Sequence, residues 1–129
     1  MANALAYYEF KPYVNATITA STRIILPPGL GAFSQVSVRV AVDACSGGSD
    51  AIDFDLDTSF TRDSTGVEDW VEVLSCTQVT GATTETKVEV RDGTATWSDR
   101  MSLEVTVATG TTASGVDVTI IGSNAATTA

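Results

Sequence analysis

The sequence predicts an all-β protein, a single antiparallel β-sandwich, and three observations support this prediction. Apolar and polar residues alternate with a period of two in several short segments. Turn-forming residues separate these segments, and no helical pattern is longer than one turn. The chain has 129 residues, the size of one domain. The spacing of the segments predicts about seven to nine strands.

Residues 1–30 are predicted to form an N-terminal arm or edge strands. Four aromatic residues lie close together here without a clean alternation: Tyr7, Tyr8, Phe10 and Tyr13. We expect Lys11-Pro12 to interrupt any β-ladder, because proline has no amide hydrogen to donate. Residues 16–19 and 22–26 have the composition of short strands. The Pro27-Pro28-Gly29 sequence then separates this segment from the body, residues 31–122.

The body begins with the clearest strand, residues 36–42. A polar loop at residues 45–49 ends this strand. A hairpin over residues 51–80 follows, with its turn at 62–66 and a second strand that starts near Trp70 and continues towards Val79. In its first strand, one apolar row is predicted to face the core and one carboxylate row to face solvent. These rows are Ile52, Phe54 and Leu56 against Asp53, Asp55 and Asp57.

Three further strands complete the predicted sandwich. Residues 84–90 alternate Thr86, Val88 and Val90 with charged residues and end at the Asp92-Gly93 turn. Residues 101–107 and 116–120 also alternate, with a loop of small residues at 110–115, and residues 123–129 form a low-complexity tail. The alternation predicts that seven side chains are buried: Val38, Val40, Phe54, Leu56, Leu103, Val105 and Val118.

The charge balance excludes several kinds of partner. Seven Lys and Arg residues against sixteen Asp and Glu give a net charge of -9, so we expect no binding to nucleic acid or to anionic membranes. The chain has no histidine, the side chain used most often as a general base and as a metal ligand. No leader peptide or apolar membrane span is recognisable, which predicts synthesis in the cytoplasm.

Cys45 and Cys76 are the only cysteines. A bridge between them would close a loop of about thirty residues and contribute ~3 kcal/mol in the chain-entropy model. Cytoplasmic synthesis favours two thiols instead. A zinc site is less favoured still, because two cysteines without histidine do not complete a tetrahedral ligand set.

The acidic residues and the tryptophans are the candidate sites. Asp53 fails the calcium-loop spacing, since Thr58 occupies the position that needs glycine, and Glu68 with Asp69 is a weaker metal candidate. Asp55 and Glu72 lie on facing strands, as a glycosidase pair would, but no histidine, no placed nucleophile and no substrate-gripping motif accompanies them. Trp70 and Trp97 would stack sugars if their rings lay on an exposed face, but a tryptophan beside a strand more often belongs to the core. We expect no catalytic site, no cofactor and no metal.

The body from residue 33 to 121 resembles a family of small β-sandwich proteins encoded beside the major capsid protein in tailed bacteriophages. Five segments carry the resemblance: the strand 36–42, the loop Ser46-Gly47-Gly48, the strand 54–59 (FDLDTS), residues 65–73, and the strand 103–107 (LEVTV) before Gly110-Thr111. These segments look like those of head decoration, or cement, proteins with a jelly-roll-like or immunoglobulin-like fold.

The resemblance implies a structural virion protein and no enzyme. Its partner would be the phage major capsid protein, bound on the exterior of the capsid, and the protein would be a homo-oligomer, with a trimer favoured. A minor tail or fibre module and a carbohydrate-binding β-sandwich are the alternatives.

The attachment surface is predicted at the N-terminal segment, since aromatic residues outside a core often anchor interfaces. Residues 1–26, with the tail after Gly122, would contact the capsid lattice or neighbouring subunits. The basic residues of the segment would relieve repulsion between the acidic chain and its partner. The alternative is an edge strand folded onto its own sandwich. The candidate interface residues are Tyr7, Tyr8, Phe10, Lys11, Tyr13, Arg23 and Ile24.

Overall fold

The structure is a computed structural model that describes residues 7–47, 51–62, 65–92 and 96–124. These ranges contain nine β-strands and one short 3-10 helix, Leu30–Ala32. The strands are β1 (Tyr8–Ile18), β2 (Thr22–Ile25), β3 (Gln35–Val42), β4 (Ala44–Ser46), β5 (Ile52–Arg62), β6 (Glu68–Ser75), β7 (Thr83–Val90), β8 (Met101–Val107) and β9 (Thr112–Ser123). Within the described ranges, no helix is long and apolar enough to cross a membrane.

The strands form two antiparallel sheets, which confirms the predicted all-β sandwich. One sheet has the order β1-β9-β3-β7, with the short β4 also paired to β9, and the other has the order β2-β8-β5-β6. Apart from β4, the first strand pairs with the last, the second with the next to last, and so on inwards to the β5–β6 hairpin. This nested pairing is the topology of a jelly roll rather than of an immunoglobulin domain.

The core lies between the sheets, and the alternating strands supply it as predicted. All seven side chains expected to be buried are buried: Val38, Val40, Phe54, Leu56, Leu103, Val105 and Val118. In β3 the even-numbered valines face the core, and β5 and β8 contribute alternate residues from the facing sheet. The register of β5 against β8 pairs Leu56 with Leu103, so two predicted core residues lie side by side.

The N-terminal segment forms edge strands of both sheets, β1 on β9 and β2 on β8. The ladder is interrupted at Lys11-Pro12, as expected, although β1 itself continues from Tyr8 to Ile18. Its register against β9 shifts between Phe10 and Tyr13, and Pro12 lies in that irregularity. A proline is tolerated at such a bulge because no ladder hydrogen bond requires its missing donor.

Strand β7 has the expected alternation, but its charged row faces the core side. Glu85, Lys87 and Glu89 pair directly with the buried valines of β3, and direct cross-strand partners share one face of a sheet. The other row therefore points outwards, and both Val88 and Val90 are exposed. The position of β7 at the sheet edge makes this possible, because the inward charged side chains reach solvent past the rim of the sandwich.

Several boundaries differ from the predicted ones. Strand β6 ends at Ser75, and Val79 forms only an isolated bridge with Ile52. Strand β9 begins at Thr112 and β4 occupies 44–46, both inside predicted loops. The predicted turns include residues 48–49, 63–64 and 93, and the predicted termini include 1–6 and 125–129. All of these lie outside the described residues.

Candidate functional site

The outer face of the four-stranded sheet carries the carboxylate row of β5. Asp53 and Asp55 are half-buried there, but the expected exposure of Asp57 was wrong, since its exposed fraction is 5%. Arg23, from β2, explains the difference. Its Nη1 atom donates to Asp57 Oδ2 at 2.8 Å and to Ser102 Oγ at 2.6 Å, and Nη2 donates to Glu104 Oε2 at 2.9 Å.

Trp70 completes this group, which we call the Arg23 cluster: Arg23, Asp57, Trp70, Ser102 and Glu104. The guanidinium carbon of Arg23 lies 4.9 Å from the centroid of the Trp70 ring, a cation–π contact. The cluster joins four strands, and both Asp57 and Ser102 are buried in it. Because its donors and acceptors are partnered within the protein, the cluster stabilises the sheet and presents no open ligand site.

The remaining carboxylates of this face are held by neighbouring side chains. Asp55 accepts a hydrogen bond from Ser75 Oγ at 2.6 Å, and Asp53 accepts one from Gln78 Nε2 at 3.3 Å. Desolvation raises the pKa of Glu72, and the nearby Asp55, Asp57 and Glu104 raise it further. Among the described residues, no three acidic or cysteine side chains are grouped to hold a metal ion. The absence of a metal stays a prediction.

Neither tryptophan offers an open platform for a sugar. Trp97 is buried, its Nε1 atom donates to Leu30 O at 2.9 Å, and Arg91 lies 4.4 Å from its ring centroid. Trp70 is half-buried and carries Arg23 against its ring. A sugar would need an exposed aromatic face.

The predicted interface residues of the N-terminal segment divide into two groups. Four of them pack partly against the core: Tyr8, Phe10, Tyr13 and Ile24. Burial raises the pKa of both Tyr8 and Tyr13, and the hydroxyl of Tyr8 donates to Pro27 O at 2.8 Å. Arg23 belongs to its own cluster. Only Tyr7, at 58% exposure, and Lys11 project into solvent.

A surface that was not predicted lies at the turn end of the β5–β6 hairpin. Phe60 is 55% exposed. Val67, which follows the turn, and Val71, on the facing strand β6, are exposed as well. An open cleft of about 320 Å³ lies here. Its lining residues are Ser59, Phe60, Thr61, Arg62, Glu68 and Arg100. The sequence signal was present: Phe60 and Val67 are apolar residues on either side of a polar turn.

Two arginines share one carboxylate in this cleft. Arg100 Nε donates to Glu68 Oε1, and Arg62 Nη2 lies 3.7 Å from the same oxygen. The hydrogen bond from Arg100 lowers the pKa of Glu68. The side chains of Arg62 and Arg100 remain largely exposed. We call the exposed residues the hairpin-end cluster: Phe60, Arg62, Val67, Val71 and Arg100.

The two cysteines are present as thiols. Cys76 is buried, and burial raises its thiol pKa to about 12. The thiol of Cys45 is half-buried and donates to Val79 O at 3.9 Å. A group that stays protonated at neutral pH is a poor nucleophile, so Cys76 contributes to packing rather than to chemistry.

Known protein families, curated proteins and solved structures were compared with this chain, and none matched. The jelly-roll topology is compatible with unrelated functions, because a fold determines architecture and not chemistry. Functions are therefore distinguished by the surfaces described above.

Proposed function

We propose that this protein is a capsid decoration, or cement, protein. It would be a structural virion protein without catalytic activity that binds the outer surface of the major capsid protein lattice and stabilises it. The hairpin-end cluster is the observation that carries this proposal. Exposed aromatic and branched apolar side chains next to arginines have the composition of a protein interface.

Two further observations support a role in a virion. The strand pattern of the body resembles that of phage decoration proteins, and its strands follow one another in a jelly roll. Jelly rolls recur in viral capsid domains, although they also occur in lectins. This part of the support is an analogy of fold and pattern.

The physical role follows from multivalent binding. A subunit that contacts several capsid proteins at once adds contacts that must break before the lattice opens. Binding to the closed lattice and not to the open one stabilises the closed form by mass action. Each contact can then be weak, which suits a small surface such as the hairpin-end cluster.

The hairpin end is a better attachment surface than the N-terminal segment. Tyr8, Phe10 and Tyr13 already use part of their apolar surface against the core. Tyr7 and Lys11 stay candidates, because both are exposed. Attachment through these two residues would place the contact on the rim formed by β1.

Co-sedimentation with undecorated capsids tests the proposal, and the chain offers a matched pair of variants. Phe60→Ser and Tyr7→Ser each remove an aromatic ring of nearly equal exposure, 55% and 58%. We expect Phe60→Ser to weaken capsid binding by tenfold or more, as the loss of a central interface anchor would. Tyr7→Ser is expected to bind like the wild type.

Each other outcome has a definite meaning. If the wild-type protein does not bind capsids, the proposed function is wrong. If Tyr7→Ser loses binding and Phe60→Ser does not, attachment is through the N-terminal segment. Copy number separates a decoration protein from a minor tail or fibre module, since hundreds of copies per particle fit only the former. Glycan binding that Trp70→Ala abolishes would favour the carbohydrate-binding alternative.

A further inference from the structure

We infer that the outer face of the five-stranded sheet packs against the same face of a second copy of this chain. This face, which we call the neutral face, consists of the outward side chains of β3, β7 and β9. The inference goes beyond the proposed function, and its two-fold pair differs from the trimer that the resemblance favours. Because it concerns the isolated protein, it can be tested without capsids.

The orientation of β7 is the first argument. This strand points Val88 and Val90 to solvent and Glu85, Lys87 and Glu89 towards the core side. If only solvent covers the outer face of a sheet, the opposite arrangement is more stable, with the valines inside and the charges outside. The observed arrangement becomes favourable if another surface covers the outer row.

The inward charged row also has a function of its own. Glu85 Oε1 accepts a hydrogen bond from the Thr77 amide at 2.8 Å, which lowers the pKa of Glu85. Inward-pointing charges on an edge strand prevent another strand from adding to that edge. The exposed valines of β7 are therefore suited to contact through the face of the sheet and not through its edge.

The low charge of the neutral face is the second argument. Its central row contains Val88, Ser37 and Ile121 side by side, flanked by Thr86 and Thr119. Within β3, β7 and β9 its charged residues are Arg39 and Asp117, whose charges cancel, and Glu9 of β1 lies beside Ile121 at its rim. Depletion of charged residues is the compositional feature that distinguishes the centre of an interface from other surface.

The opposite face of the molecule is much more acidic than the neutral face. The outer side of the four-stranded sheet carries six carboxylates against three arginines: Asp53, Asp55, Asp57, Glu68, Glu72 and Glu104 against Arg23, Arg62 and Arg100. Two chains that each carry a net charge of -9 repel one another. They approach with the least repulsion when their neutral faces meet and their acidic faces point away, which is a two-fold arrangement.

The size of the face indicates a weak complex. Three strands about 4.8 Å apart, with eight residues rising about 3.3 Å each, make a surface of roughly 14 by 26 Å. Two such faces bury roughly 750 Å², which is less than a stable specific interface buries and fits a weak, transient one. We expect a dimer that dissociates in the micromolar range or above. Added salt should strengthen it, because salt screens the repulsion between the acidic bodies.

Sedimentation equilibrium of wild type, Val88→Lys and Val71→Lys tests this inference. Val88 and Val71 lie in strands of opposite sheets and are almost equally exposed, at 49% and 50%. We expect the wild type to dimerise and Val88→Lys to raise the Kd by about tenfold or more, since an ammonium group must then be desolvated in the contact. Val71→Lys should dimerise like the wild type.

Three results would overturn the inference. These are a wild type that stays monomeric up to millimolar concentration, a trimer in place of a dimer, and equal effects of the two lysine variants. Circular dichroism checks that each variant is folded, and Thr86→Lys replaces Val88→Lys if that variant unfolds. A protein that dimerises but does not bind capsids would refute the proposed function alone. One that binds capsids as a monomer would refute this inference alone.

Discussion

Replacing Arg91 with Met is expected to destabilise the protein more than any ordinary surface substitution. Arg91 follows β7, and its guanidinium donates to three main-chain carbonyls. Nη1 donates to Trp97 O at 2.9 Å, Nη2 donates to Gly31 O and Phe33 O at 3.0 Å each, and Nε also donates to Phe33 O. These bonds join the loop around the 3-10 helix to the segment before β8.

The expected magnitude follows from these contacts. A hydrogen bond from a charged donor contributes about 1.5–3 kcal/mol, and the stacking on Trp97 contributes about 0.5–1 kcal/mol. Arg91 is half-buried, so water replaces part of what is lost. We therefore expect Arg91→Met to lower the free energy of unfolding by about 3 kcal/mol. For a domain of this size, that lowers the Tm by roughly 10 °C.

Urea unfolding followed by circular dichroism measures the effect, with Arg62→Met as the control. The side chain of Arg62 is largely exposed and lies 3.7 Å from its carboxylate partner, so its loss should change stability by little. The m-value should be unchanged in both variants if neither alters the denatured state. A loss below 1 kcal/mol for Arg91→Met, or equal losses in the two variants, would refute this account of Arg91.

Two further predictions concern packing and pH. A Cβ atom on Gly31 would lie 2.8 Å from the Asp99 amide nitrogen, whereas one on Gly81 meets nothing within 4 Å. Gly31→Ala should therefore lower the free energy of unfolding by about 1–3 kcal/mol, and Gly81→Ala should leave it unchanged. Thermal melts measure the difference. Burial raises the pKa of Cys76 from 9.0 to about 12. Between these two pH values only the thiol of the unfolded chain ionises. The contribution of Cys76 to stability is therefore complete below pH 9 and is lost as the pH rises towards 12. Urea titrations at pH 8 and pH 9.8 should show this decline in the wild type and a smaller one in Cys76→Ala; equal slopes would contradict it.

Alternation in the sequence was sufficient to predict seven core side chains of β3, β5, β8 and β9, but not Leu30 and Trp97, which lie outside the strands. In β3, in β8 and in β5 as far as Leu56, each second residue is a large apolar side chain, and a slip of one residue would expose the whole row. The fold class and the buried set could therefore be predicted from local pattern. The pairing order of the strands could not, because a period of two shows that a strand has two faces and does not show which strand lies beside it.

Which side chains are exposed at the surface depends on contacts between residues that are far apart in the chain. The burial of Asp57 depends on Arg23, which lies in another strand of the same sheet. The orientation of β7 depends on its place at the edge of a sheet, where an inward carboxylate still reaches a partner such as the Thr77 amide. The hairpin-end cluster joins Phe60 to Arg100 across two strands. Local alternation thus determined which side chains share a face, while the tertiary structure decided which face meets solvent, because that depends on what the neighbouring strands cover.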